Sequence, residues 1–327
     1  MAAFIMNPYE PQIGPTDIVK HAGRIRENTI TTDDGVSLVV REIGPPDAPL
    51  TVVFAHGFCL RMAAWGPQLT RLERLWGNTV RLVAYDQRGH GRSGRADPAS
   101  CTISQLGRDL QSVITTVAPS GPIVLVGHSM GGMTVLSHAE QFPHIIGTRV
   151  IGAALIATAA EGLRRSGLFP QVNGPVLAAL RLGIGIAPRA ANVAKVAAAT
   201  AVTVAAQRRI GGFRIGLDPS VAMFGSTSID TIRAFLESLE AHDETAALPL
   251  LGTVPSVVVC GETDMVTPIR NSEEIAAAMP RAEFVRVAGA GHMIQFEHPR
   301  LVTEAIARTV ERAVPCRQYG LAMAGCL

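Results

Sequence analysis

The sequence has no large surplus of either charge. Charged residues make up 17% of its 327 positions, and the formal net charge is +2. Nucleic-acid binding as the main activity is excluded on that ground, because phosphate recognition needs a basic face. The basic doublets Arg164-Arg165 and Arg208-Arg209 read as solvated surface. Cysteine is also scarce. The five cysteines (Cys59, Cys101, Cys260, Cys316, Cys326) are odd in number, and none are paired at metal-ligand spacing. That argues against a disulfide framework or a cysteine metal site and for a reducing compartment. Long apolar runs are missing as well. The closest, Val196 to Ala206, has eleven residues, short of the roughly 18 that a spanning helix needs. Met1 to Pro15 lacks the basic-then-apolar pattern of a secretory signal. A cytoplasmic protein without an integral membrane span is expected. Its Ala/Gly-rich middle section leaves peripheral membrane contact open, although no basic amphipathic face is present. Oligomeric state is not legible.

Apolar residues are plentiful at 47%, enough for a sizeable core. Residues 1–25 carry three prolines and little periodicity, and read as an irregular arm. Glu27 to Thr32 and Val36 to Ile43 flank Asp33-Asp34-Gly35 and predict a hairpin, the glycine supplying a positive φ. Short β-branched runs follow at Leu50–Ala55, Val80–Tyr85, Ile123–Val126, Val150–Ile156, Val257–Cys260 and Phe284–Val287. Helical stretches such as Gln68–Leu75 and Ile103–Val117 alternate with them. Strands apolar on both faces belong in a parallel sheet covered by helices, so a doubly wound α/β core is expected. The rhythm stops between Ala157 and Pro249, where Val176–Leu182, Ala190–Arg209 and Ser228–His242 have helical texture. The expected division is a core of residues 26–156 and 250–314, a helical lid at 157–249 and a tail at 315–327.

The most informative segment is Ile123-Val-Leu-Val-Gly-His-Ser-Met-Gly-Gly132. Gly127-x-Ser129-x-Gly131 stands directly after a buried strand and before a helix read as Met133 to Gln141. A strand reversing into a helix so tightly leaves no room for side chains two positions either side of the serine. The turn lifts the hydroxyl out at the edge of the sheet, beside unpaired N–H groups at the helix start. A helix-capping serine is the plainer reading, but capping requires neither glycine.

A serine hydroxyl needs a base, and the base needs an orienting group. Both are expected further along, on loops after core strands. His292, in Ala288-Gly-Ala-Gly-His292, follows the run ending at Val287 and is the expected base. The neighbouring His128 points away on a sharp turn and reads as a packing residue; His298, His242 and His21 read as surface or packing residues. Asp264, in Gly261-Glu-Thr-Asp264, is the expected acid, with Glu262 the alternative in the same loop. Acyl transfer also needs donors for a developing oxyanion. The Met130 backbone N–H follows the nucleophile, and the Phe58 N–H in His56-Gly57-Phe58-Cys59 is the second candidate. His56 reads as structural and Cys59 as a small buried residue.

His56-Gly57-Phe58, Asp86-Gln-Arg-Gly-His-Gly-Arg-Ser93, Gly127-His-Ser-Met-Gly131, Gly261-Glu-Thr-Asp264 and Gly291-His292 occur in this order across about residues 25–314. Together they resemble the α/β-hydrolase superfamily, in its lidded esterase, lipase and cofactor-free haloperoxidase branch. The resemblance implies an eight-stranded, mostly parallel sheet with helices on both faces and a helical lid. It also implies no metal or organic cofactor, and a structural role for Asp86–Ser93. Epoxide hydrolases and haloalkane dehalogenases are disfavoured, because Ser129 stands where they carry aspartate. No tyrosine falls in the insertion either; the three are Tyr9, Tyr85 and Tyr319. The expected activity is hydrolysis of a small to medium hydrophobic carboxylic ester, lipid esters included, through an acyl-enzyme. Thioesterase and perhydrolase or haloperoxidase activities use the same machinery. A slow or non-catalytic ligand-binding signalling protein is the alternative of another class. Phe169, Phe213, Met223 and Phe224, with Leu168, are candidates for the substrate pocket, or equally for the lid's own core.

Overall fold

The computed structural model describes residues 25–161, 163 and 219–314. Among these, eight strands form one sheet: β1 (Ile25–Thr31), β2 (Ser37–Ile43), β3 (Leu50–Ala55), β4 (Val80–Tyr85), β5 (Ile123–His128), β6 (Val150–Ile156), β7 (Ser256–Gly261) and β8 (Glu283–Val287). Their order is β1-β2-β4-β3-β5-β6-β7-β8. β1 and β2 are antiparallel, joined by a turn in which Gly35 has φ +87°, and β2 runs antiparallel to β4. Every pairing from β4 through β8 is parallel.

Successive residues of a strand point to opposite faces, so each central strand feeds two cores. On one face, Val52, Phe54, Val124, Val126, Val257 and Val259 pack against α1 (Gly66–Trp76) and α9 (Pro299–Ala313). On the other, Val53, Leu125, Ala153, Leu155 and Val258 meet α2 (Ile103–Val117), α3 (Met130–Gln141), α6 (Ala247–Leu251) and α7 (Ile269–Ala278). The remaining described helices are α4 (Pro219–Ser226), α5 (Ile229–Ala241) and α8 (Ile294–Glu297). No helix among the described residues is long and apolar enough to cross a membrane. Val176–Leu182 and Ala190–Arg209, read above as helical, lie outside the described residues, as do residues 315–327.

The Asp86–Ser93 loop is tied down by charge. Fully buried Arg88 donates to both oxygens of Asp109 at 2.6 Å and to Asp34 at 2.7 and 2.8 Å. The carboxyl atoms of Asp33, Asp34 and Asp109 lie within 4.8 Å of one another, and the cation serving Asp34 and Asp109 is this guanidinium. Its hydrogen bonds hold the Asp34 carboxyl well below the usual carboxylate range, against the opposing effect of burial. The Asp86 carboxylate accepts from Met62 N at 2.7 Å and Arg92 N at 2.9 Å. This packing fits the structural role that the resemblance implied for the loop.

Candidate active site

β3 and β5 are neighbours in the sheet, yet the chain continues from β3 to β4 on one side and from β5 to β6 on the other. Such a switch point opens a crevice at the carboxyl ends of the strands. Gly57-Phe58 leave the end of β3 and Ser129 leaves the end of β5, so both reach this crevice.

The turn at Ser129 is as cramped as its glycines imply. A Cβ at Gly127 would lie 2.3 Å from Gly131 O, and one at Gly131 would lie 2.1 Å from Ala55 O. Ser129 itself has φ +53°, a left-handed conformation that costs a non-glycine residue on the order of 1–3 kcal/mol. Ser129 occupies the N-cap of α3, but its hydroxyl makes no capping hydrogen bond. Instead, His292 Nε2 lies 3.0 Å from Ser129 Oγ. The other ring nitrogen, Nδ1, lies 2.8 Å from Asp264 Oδ2. A carboxylate only accepts, so Nδ1 carries the proton and the Nε2 lone pair faces the hydroxyl. Ser129, His292 and Asp264, expected from the sequence, are thus brought together in one chain of contacts from residues far apart in sequence.

Asp264 is buried and holds four hydrogen bonds. Oδ1 accepts from Val266 N at 2.8 Å and Thr267 N at 3.0 Å, while Oδ2 accepts from His292 and from Thr267 Oγ1 at 2.9 Å. Burial works against its charged form, but the hydrogen bond of His292 and the two backbone N–H groups outweigh it. The Asp264 pKa is lowered as a result. Glu262, the alternative acid, faces Arg286 at 3.5 Å on the surface instead.

The loop that carries the expected Phe58 donor borders Ser129, next to which Met130 stands in the chain. A Cβ at Gly57 would lie 3.3 Å from Ser129 Cβ, which sets the Gly57-Phe58 peptide against the serine. Among the described residues, neither the Phe58 nor the Met130 backbone N–H is taken up by a hydrogen bond. Cys59, next in the loop, is buried at φ +59°. Met223 is 4% exposed and packs with Leu60 and Ala64, while Met293 and Phe296 lie against the same cluster. Phe224 is half-buried; Leu168, Phe169 and Phe213 lie outside the described residues.

Sequence reasoning missed two contributors. Thr267 Oγ1 reaches both Asp264 and, at 3.3 Å, His292 Nδ1; a threonine three residues after the acid and just before Pro268 was the available signal. His128 is indeed packed beneath the turn, but it does more: its Nε2 lies 2.9 Å from the His292 carbonyl oxygen and can only donate there. Its Nδ1 faces Gln295 Nε2 at 3.4 Å. No motif signals that link, since the two histidines stand 164 residues apart.

Burial keeps His56, His90 and His128 around the site, and His138 in the last turn of α3, neutral. It pushes the His56 imidazole from the ordinary 6.5 down to about 4, and those of His90, His128 and His138 to about 3. The unfolded chain protonates these rings near pH 6.5 and the folded chain does not, so their contribution is complete above that pH. It is lost as pH falls towards 4, at about 1.4 kcal/mol per pH unit for each ring. Four rings together amount to roughly 5 kcal/mol per pH unit, comparable with a whole domain's stability. Thermal melts at stepped pH should show Tm falling steeply between about pH 6 and 4.5. A Tm constant across that range would show that the rings are not held neutral.

Three comparisons place this geometry among known proteins. Residues 52–305 match the Alpha/beta hydrolase family. The chain is 26% identical over 291 residues to "Probable oxidoreductase EphD" of Mycobacterium tuberculosis, a match covering 85% of this chain and 48% of that protein. The chain therefore spans about half the length of the first curated relatives it matches. It is also 26% identical over 259 residues to the pimeloyl-[acyl-carrier protein] methyl ester esterase of Xanthomonas oryzae, covering 79% of this chain and 94% of the relative. Among solved structures, the enol-lactonase from Burkholderia xenovorans LB400 superposes with a TM-score of 0.69 at 24% identity, over 86% of this chain and 99% of that one. The sheet order matches this fold, and the family match spans well over half of the sequence: the chain belongs to the alpha/beta hydrolase family.

Proposed function

We propose that this protein is a serine hydrolase that cleaves a carboxylic ester through an acyl-enzyme. The observation that carries the proposal is the run of contacts from Ser129 Oγ to His292 at 3.0 Å and from His292 to Asp264 at 2.8 Å. In it, His292 takes the hydroxyl proton as Ser129 attacks the ester carbonyl, then returns it to the leaving alcohol. The Phe58 and Met130 N–H groups hold the oxyanion. Water, deprotonated by the same imidazole, then releases the acid. Names among the relatives point the same way: a methyl ester esterase, and a "Bifunctional esterase/perhydrolase" of Acinetobacter calcoaceticus 33% identical over 115 residues. The stretch between Ala160 and Ala247 serves as the lid of this site, with Phe169, Phe213 and Phe224 contributing to its acyl pocket. Ala157, Ala160, Ala247 and Leu248, at the ends of the expected lid, pack in the sheet's cores, and Met223 packs with Leu60 and Ala64.

An uncharged acyl group suits the surroundings. Phe58 and Met130, which carry the oxyanion donors, pack in one apolar cluster with Phe235 and Leu239 of α5. A series of p-nitrophenyl esters of increasing acyl length tests this. kcat/KM should climb by up to about fourfold per added methylene until the pocket is filled, since each buried methylene contributes about 0.8 kcal/mol. Negligible turnover across the series, with tight binding of an apolar ligand, would instead indicate a binding protein on a hydrolase scaffold.

A further inference from the structure

Each amide assigned as an oxyanion donor belongs to a peptide unit whose carbonyl is gripped from behind by a buried side chain. The Phe58 N–H shares its peptide with Gly57 O, which lies 2.8 Å from His56 Nδ1. His56 Nε2 accepts from Gln87 N–H at 2.9 Å, which leaves Nδ1 as the protonated nitrogen and hence the donor. The Gln87 side chain clamps the preceding peptide, that of His56 and Gly57, and ties it to α3. Its Nε2 donates to His56 O at 2.5 Å, and its Oε1 accepts from Thr134 Oγ1 of α3 at 2.8 Å. Both Gln87 and His56 are fully buried.

The Met130 N–H shares its peptide with Ser129 O. Thr158 Oγ1, fully buried just beyond β6, donates to that oxygen at 2.8 Å. Gly132 N and Met133 N donate to it as well, at 2.8 and 3.2 Å. A Cβ at Gly132 would lie 2.5 Å from Thr158 Oγ1, so the glycine is what admits the hydroxyl. A hydrogen bond accepted by a peptide carbonyl fixes the plane of the unit and strengthens its own N–H as a donor. Such preorganisation matters where charge develops only in the transition state.

We propose that Thr158 and His56 are positioning residues for the oxyanion hole, each acting through the carbonyl of the peptide whose N–H faces the reacting oxygen, with the Gln87 backbone N–H fixing the His56 tautomer. The assignment rests on the serine-hydrolase reading above. Thr158→Val removes the hydroxyl and keeps the shape. It should lower kcat on a p-nitrophenyl ester on the order of tenfold, less than the loss of a whole donor, with KM nearly unchanged. Thr158→Ser should recover most of the loss. His56→Leu, which removes the donor to Gly57 O, supplies the same kcat-against-KM comparison on the Phe58 side should the valine variant not fold.

A second readout needs no turnover. Ser129-Met130 is the one Ser-Met pair in the sequence, so labelling serine carbonyl carbon with 13C and methionine nitrogen with 15N isolates the Met130 amide. Its resonance should move in Thr158→Val and return in Thr158→Ser. Unchanged kcat, a loss carried by KM, or an unmoved Met130 amide overturns the positioning role. A wild type that cleaves no ester, while the amide still responds to Thr158→Val, overturns the functional reading instead.

Discussion

Ser129→Ala should abolish ester turnover, with kcat/KM falling on the order of a million-fold while the fold persists. The expectation rests on where the hydroxyl points. It is 3.0 Å from His292 Nε2 and makes no capping bond to α3, so alanine removes the nucleophile without removing a structural contact. Alanine at φ +53° meets the same backbone strain that serine already bears, so the melting temperature should shift little. Purified wild type and variant, compared on one p-nitrophenyl ester with circular dichroism of both, check this directly. Variant activity within a hundredfold of wild type would remove Ser129 as nucleophile.

Asp264→Asn should cost about ten-thousandfold in kcat, a loss read from tautomer rather than charge alone. Four donors converge on the Asp264 carboxylate, two on each oxygen. An amide has one acceptor oxygen. If that oxygen keeps the Val266 and Thr267 N–H groups, the amide NH2 faces His292 Nδ1 and forces the ring proton to Nε2, opposite Ser129. The imidazole then has no lone pair for the serine proton. If the amide turns the other way, its NH2 confronts two backbone donors and the loop is destabilised. Steady-state kinetics at neutral pH with an NMR assignment of the His292 tautomer separates these cases. Asp264→Asn activity within tenfold of wild type would remove the orienting role.

Much of this arrangement was legible in the sequence because it is written in steric and burial requirements. The runs at Leu50–Ala55, Val80–Tyr85, Val150–Ile156 and the helix Ile103–Val117 match the structure residue for residue, since each is apolar on the faces the fold buries. The helix after Ser129 begins at Met130, three residues earlier than its texture implies. Gly131 and Gly132 lower the local helical signal, yet Gly131 is required there because a side chain would run into Ala55 at the end of β3. Likewise β5 extends through Gly127 and His128, whose pairing with β6 no local pattern announces.

The primary site residues could be read because glycines mark their turns. Their supports could not. Thr158, Gln87 and Gln295 are ordinary polar residues whose partners lie on other loops, and only the meeting of those loops gives them a role. Met223 shows a further limit: one apolar residue can serve a lid core or a pocket, and here it packs with Leu60 and Ala64.

The most direct measurement is rapid acid quench of wild-type protein turning over an ester, followed by peptide mapping of any acyl adduct by mass spectrometry. The acyl group should appear on the peptide containing Ser129 and be absent in Ser129→Ala. An acyl group on another residue, such as Cys59, or turnover that survives in Ser129→Ala without any adduct, would contradict a serine-centred acyl-enzyme.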